Sequence, residues 1–397
     1  MTRKVAYVYG SRTKTFLSGT PYYLARALEA FGKKNGAFDV IDVMPKRTRE
    51  IPLTYLRWCL EAVTNRISLF LLSQTYTNGC TRNISVPKDV TPYFIIWGQY
   101  IPSKVLAFRR KHPGARIILY NDATLLDLME TFDYALQTPP PLRVRMVRNE
   151  KISYAQSDLI AVFHEKVRAR MIKDYGVPPE KIWVIGRGAN LDNALLRQSG
   201  EHKRSVHDNK FHMMIEGRSP KRKGVFRLIE AIDALTPGEQ DSLVLTVAGP
   251  SESELPTRPY LRTTGFVSAD ERDLLVAEMA ASDLGVLLSD ADSLPGSIWE
   301  FLVLKVPVWV SNLPGIATAL EGYPAIIEDL SQGTSALTAR LRTFLRQPQM
   351  LSKLRAEKTK SLRLLTWNRP AEFLGEYIRT DSIPAKWRDH GAEVCSR

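Results

Sequence analysis

The sequence predicts an α/β protein built as two consecutive Rossmann-like domains. Short apolar runs alternate with amphipathic stretches, the pattern of strand–helix units laid on parallel sheets. The alternation breaks at a polar, charged segment, RQSGEHKRSVHDNK (197–210), and then restarts. The chain has 397 residues, enough for two cores of ordinary size.

In the first half, KVAYVYG (4–10) reads as a strand. A Ser/Thr/Gly-rich loop follows, and Thr20-Pro21 opens a helix as N-cap and first-turn proline. Leu24, Ala27, Leu28 and Phe31 recur at helical spacing, and Gly32 to Gly36 ends that helix before FDVIDV (38–43). Further strands are expected at 93–98, 116–121, 159–164 and 181–186. In the second half, strands are expected at 211–217, 242–249, 283–289 and 306–311, with helices at 225–235, 271–282 and 298–305. No solenoid repeat is visible.

With 44% hydrophobic and 24% charged residues, the composition is that of a soluble globular protein rather than a disordered or fibrous one. Cys59, Cys80 and Cys395 are widely spaced and form no CxxC pair, which argues against a disulfide framework or structural zinc and fits a reducing compartment. The N-terminus lacks the apolar core of a signal peptide, and the longest apolar stretch, Ile67–Leu72, is too short to span a bilayer. A cytoplasmic location is the expectation. The net charge of +13 favours polyanionic partners: nucleic acid, an anionic membrane face or phosphorylated substrates. A solvated basic surface with no single partner is the alternative.

Ligands of open α/β sheets bind beyond the carboxyl ends of strands. One such place is EGRSPKRKGVFRLIEA (216–231), where Arg218, Lys221, Arg222 and Lys223 lie between a strand end and a helix N-terminus. Free backbone N–H groups and the helix dipole favour anions there, so a diphosphate fits; a plain basic surface loop is the alternative. The other place is LLSDADSLPGSIWEFLVLKVPVWVS (287–311), where Asp292 and Glu300 are separated by seven residues across a loop and a first helical turn. That spacing can aim both carboxylates, good acceptors for vicinal hydroxyls, into one crevice. A dipole-facing carboxylate and an ordinary surface glutamate are the alternative.

Taken together, these segments resemble the retaining GT-B glycosyltransferases, whose members share a Gly-Arg…Lys-Gly motif and a Glu-x7-Glu motif. Here the motifs read Gly217-Arg218…Lys223-Gly224 and Asp292-x7-Glu300. Glu150…Ser157-Asp158-Leu159-Ile160, LTVAGP (245–250), TTGFVS (263–268), ASDLGVLLS (281–289), LPGSIWEFLVLKVPVWVS (294–311) and LTWNRPAEFLGEYI (365–378) follow in the family's order. The resemblance covers most of the second half and about a third of the first. It implies two Rossmann-like domains facing across a cleft: an acceptor-side domain at 1–195, a donor domain at 206–364, and a helical segment, 365–397, crossing back to the first.

By the same resemblance, Arg218 and Lys223 bind the diphosphate of a UDP- or GDP-linked sugar and stabilise its growing charge, with no metal and no further cofactor. Glu300 takes the ribose hydroxyls and Asp292 the transferred hexose. The backbone of Gly265-Phe266-Val267 meets the base, and Gly296 and Ser297 lie at the donor. Gly19 stands where the family carries a Gly-Gly loop. Asn121-Asp122 replaces a strand-end histidine, so Asp122 is the candidate polar group near the anomeric centre. Asp292 is one methylene shorter than the family's usual glutamate, and Ser293-Leu294-Pro295 replaces its Gly-Phe-Gly.

The histidines show no metal-ligand spacing. His164, at a strand end, is read as a satisfied strand-end residue or as one approaching the donor. The basic, amphipathic segment 46–72 is read either as acceptor-side surface or as a core helix with a charged outer face, and Arg143, Arg145 and Arg148 as another basic cluster near the cleft edge. A lipid-linked acceptor would make 46–72 a peripheral contact with anionic membrane at its inner face. Two functions compete: a transferase using a lipid-linked glycan or polysaccharide acceptor, and a non-catalytic nucleotide-sugar or polyanion binder. No nucleic-acid motif supports a third, DNA- or RNA-binding reading.

Overall fold

A computed structural model describes residues 2–14, 19–43, 85–131, 140–192, 209–356 and 362–388. The three cysteines, the segment 46–72 and most of 197–210 lie outside the described residues. Two compact units emerge, one formed by 1–187 with 367–394 and the other by 188–366 with 395–397.

The first unit holds a six-stranded, wholly parallel sheet in the order β2-β1-β3-β4-β5-β6. Its strands are β1 (Arg3–Tyr9), β2 (Asp39–Val43), β3 (Val90–Trp97), β4 (Arg116–Asn121), β5 (Leu159–Val162) and β6 (Ile182–Val184). Its helices are α1 (Thr20–Asn35), α2 (Ser103–Lys111), α3 (Leu125–Thr131), α4 (Pro140–Gln156) and α5 (Glu165–Tyr175). Covered on both faces, the central strands are apolar nearly throughout, as in β4, where Ile117, Ile118, Leu119 and Tyr120 are all buried. The α1 start differs by one position from the sequence expectation. Gly19, at φ 82°, is the N-cap and Thr20 is already helical, because a left-handed residue turns the chain into the helix.

The second unit repeats the architecture in the order β12-β11-β10-β7-β8-β9, again all parallel. Its strands are β7 (Phe211–Glu216), β8 (Leu243–Ala248), β9 (Leu261–Gly265), β10 (Leu284–Leu287), β11 (Val308–Ser311) and β12 (Ala325–Glu328). Helices α6 (Val225–Asp233), α7 (Arg272–Ala281), α8 (Gly296–Val303) and α9 (Gly333–Arg346) flank it. Val225, Leu228, Ile229 and Ile232 form the buried stripe of α6 and pack with Met213, Ile215, Leu245 and Val247 of the sheet. Each such side chain contributes roughly 1.5–3 kcal/mol through burial. The strand order reverses direction between β7 and β10. That topological switch point is where a doubly wound sheet opens a crevice.

The last long helix, α10 (Asn368–Thr380), belongs to the first unit. Lys4 of β1 caps it, its Nζ donating to the carbonyls of Ile378 (2.7 Å) and Arg379 (3.1 Å) and pairing with Asp381 (2.6 Å). A cation suits the negative end of a helix dipole. The Tyr93 hydroxyl also donates to Asp381. Among the described residues, no helix is long and apolar enough to cross a membrane.

Candidate functional site

At the switch point of the second sheet, the loop after β7 meets the loop after β10. Gly217 (φ 153°) ends β7, and the basic loop runs to Gly224, which caps α6 at φ 76°. Glycine is required at both for space as well as conformation. A Cβ on Gly224 would stand 2.1 Å from the Leu288 carbonyl oxygen at the end of β10. One on Gly217 would meet the Lys223 side chain at 2.9 Å, so the lysine lies folded over the strand end.

That folding aims Lys223 across the switch point. Its Nζ pairs with Asp292 Oδ2 at 2.7 Å, with both side chains largely buried, at 8% and 13% exposure. Arg222 Nη1 shares the same oxygen at 2.9 Å and donates to the Ala291 carbonyl at 2.7 Å. Arg227, on α6, donates to the Leu288 carbonyl (2.8 Å) and pairs with Asp290 (2.5 Å). The plain surface-loop reading therefore fails for Lys223, which is buried and charge-paired. Two cations on one carboxylate balance its charge in a site of reduced solvent access.

Arg218 is exposed, and its guanidinium lies 4.3 Å from the centre of the Phe266 ring beyond β9. Gly249, at the end of the intervening β8, carries no side chain to block that approach; its N–H donates to the Gly265 carbonyl at 2.9 Å. Gly265, Phe266 and Val267 thus stand beside the arginine at one rim of the sheet. No carboxylate pairs with Arg218 among the described residues.

Helix α8 starts at Gly296 after Pro295, with no side-chain cap on its first N–H groups. Ser297 in its first turn is buried, and its hydroxyl has no hydrogen-bond partner among the described residues. One turn on, Glu300 is also buried, which rules out an ordinary surface glutamate. Its Oε1 pairs with Arg272 Nη2 at 2.6 Å, from the first position of α7. Sequence reasoning missed both Arg272, which lies outside the motifs, and the clamping role of Arg222, since each lies far along the chain from the carboxylate it holds.

The first unit carries the other candidates, at its own switch point and rim. Gly19 caps α1 after β1, next to the place where the sheet order reverses between β1 and β3. Asp122 is exposed, just past the end of β4, while its neighbour Asn121 is buried. His164 caps α5 from the end of β5, and burial pushes its imidazole down to about 4, so it is neutral near pH 7. Arg143, Arg145 and Arg148 ride on α4.

Residues 210–346 match the family model of glycosyl transferases group 1. TuaC of Bacillus subtilis, a protein named for teichuronic acid biosynthesis, is 35% identical over 104 residues, 26% of this chain and 25% of its own length. The D-inositol 3-phosphate glycosyltransferase of Rhodococcus jostii is 25% identical over 276 residues, 66% of this chain and 60% of its own. The chain therefore spans about a quarter and three fifths of these two relatives. Among solved structures, Anabaena HepE in complex with UDP and glucose superposes with a TM-score of 0.55 at 13% identity, covering 94% of this chain and all of that one. Matched to that family model through its second unit and built of two parallel Rossmann-like sheets, the chain has the GT-B fold.

Proposed function

We propose that the protein is a retaining, metal-independent glycosyltransferase that takes a hexose from a UDP- or GDP-linked sugar and passes it to a lipid-linked glycan or polysaccharide. The observation that carries the donor half is the Lys223–Asp292 contact, which brings the basic loop and the carboxylate loop together at the switch point of one sheet. Arg218 and Lys223 then neutralise the diphosphate as the bond to the sugar breaks, aimed in advance at the oxygen where charge grows. The first N–H groups of α8 and the buried Ser297 hydroxyl add donors for the same phosphates. Glu300 accepts the ribose hydroxyls, Asp292 accepts from the sugar, and the backbone at Gly265–Val267 meets the base. The UDP and glucose of the HepE complex support this donor class, and the name of TuaC supports a polysaccharide acceptor.

The test is nucleoside-diphosphate release from a panel of UDP- and GDP-linked hexoses. Replacing Glu300 with Gln should lower kcat/KM for the donor by roughly a hundredfold, through KM; an unchanged kcat/KM would sink the site assignment. Product anomeric configuration by NMR tests retention, and activity in the presence of a chelator tests metal independence. A second reading, a non-catalytic nucleotide-sugar binder, is favoured by the engagement of Asp292 with two cations. Calorimetric donor binding without diphosphate release from any acceptor mixture would select it.

A further inference from the structure

Both acidic residues of the donor motif are held by an arginine that lies outside the motif. Asp292 and Glu300 are largely buried, with side-chain exposures of 13% and 3%. A carboxylate removed from water is costly unless a cation and hydrogen bonds compensate it. For Asp292 the compensation includes a backbone staple. Arg222 Nη1 binds both Asp292 Oδ2 and the Ala291 carbonyl, while the Arg222 carbonyl accepts the Asp290 N–H at 2.9 Å. These bonds draw the 290–292 loop toward the basic loop and place a side chain one methylene shorter than glutamate on Lys223. For Glu300 the clamp is Arg272, which also donates from Nε to the Asn190 carbonyl at 3.3 Å, so its guanidinium is held from two sides.

We infer that Arg222 and Arg272 are separate positioning residues for the two ends of the donor, Arg222 for the sugar through Asp292 and Arg272 for the ribose through Glu300. The inference rests on the donor reading above. Without Arg222, Asp292 keeps Lys223 as its cation among the described residues, and its loop loses the bonds that set its distance from the sugar. Without Arg272, Glu300 becomes a buried charge with its nearest cation gone, and its ability to hold two hydroxyls in a fixed geometry is lost. The two defects fall on different kinetic constants because the ribose contact is equally strong before and during reaction, whereas the sugar contact tightens as the bond breaks.

The full-length chain is titrated by calorimetry with UDP and with GDP, and diphosphate release is followed from the hexose nucleotide that binds best. Arg272→Leu should weaken the nucleotide and raise KM by about tenfold or more, with kcat within about threefold. Arg222→Leu should lower kcat by about tenfold or more and leave nucleotide Kd within about threefold. Arg222→Lys and Arg272→Lys, which keep the charge without the fork, should each recover part of the loss in the same constant. Circular dichroism confirms that each variant is folded, and the Lys variants carry the test if a Leu variant is not. Wild-type binding with both constants unmoved, or moved together in each variant, overturns the inference while leaving the donor reading intact. A wild-type chain that binds no nucleotide overturns the donor reading and the inference with it.

Discussion

The two units share a doubly wound parallel sheet and differ in what occupies the carboxyl ends of the strands. In the second unit that rim is polar and charged: Gly217 at the end of β7 leaves room for the Lys223 side chain that reaches Asp292, and Gly249 at the end of β8 lets the Gly217–Arg218 backbone come close. In the first unit the corresponding rim is aromatic. Trp97 and Tyr120, from the ends of β3 and β4, stack at 4.3 Å, Phe163 and Trp367 pack edge-on against them, and the Arg187 guanidinium lies 5.4 Å from the Phe163 ring. The Tyr120 hydroxyl donates to the Gly186 carbonyl, closing the cluster. One rim spends its residues on binding charge, the other on packing.

Beneath the aromatic rim the first unit hides a titratable group. Glu150 of α4 is fully buried, accepts from the Leu125 N–H (2.9 Å) and from the Tyr154 and Tyr175 hydroxyls, and so ties α3, α4 and α5 together. Burial pushes its carboxyl up to about 8, outweighing the hydrogen bonds that lower it. The second unit's buried acids, by contrast, sit beside arginine and lysine. A buried carboxylate can thus be kept by neutralising it with a proton or with a cation, and this chain does each in a different unit.

The largest test of the contrast is Tyr120→Ala, which empties a fully buried site; a loss of about 3–5 kcal/mol in denaturant unfolding is expected, with diphosphate binding by the folded protein retained. If nucleotide affinity collapsed instead, the aromatic rim would be more than packing. Arg218→Ala should do the opposite. Its side chain is exposed, so the melting temperature should stay within about 2 °C while diphosphate release falls roughly a hundredfold.

Glu150→Gln sharpens the comparison through pH. The folded carboxyl titrates near 8 against an ordinary value of 4.5, so its contribution to stability is fully present below about pH 4.5 and is lost as pH rises through 8. Across that window the slope amounts to at most about 1.4 kcal/mol per pH unit, and urea melts of the Gln variant should be flatter by that much. An unchanged profile would mean that Glu150 is ionised in the folded protein. The smallest effect belongs to Arg3→Ala, which removes the exposed Arg3–Asp39 pair of the first sheet; its cost in the same melts should be below about 0.5 kcal/mol.

Most strands of both sheets were legible because central parallel strands are nearly unbroken apolar runs, as in LVLTVA of β8 and RIILYN of β4. The edge strands β9 and β12 were not. β9 alternates half-buried and exposed positions and β12 mixes half-buried, exposed and buried ones over four or five residues, too little signal to separate from loop. Gly217, Arg218, Lys223, Asp292 and Glu300 stood out through motif spacing. Arg222 was legible as a basic-loop residue but not as a clamp, and Arg227 and Arg272 were not singled out at all, because nothing local marks an arginine that closes on a carbonyl or carboxylate some thirty to seventy residues away.

By itself the sequence determined the α/β class, most strands of both sheets and the identity of the charged residues at the strand ends. Those are set by local periodicity and by the chemistry of single side chains. Only the tertiary structure decided that β7 and β10 lie side by side at the reversal of strand order, that Lys223 folds over Gly217 onto Asp292, and that arginines neutralise both acids. Each of those depends on strands distant in sequence becoming neighbours, and on a carboxylate's cost of burial being met by whichever cation the fold brings within reach.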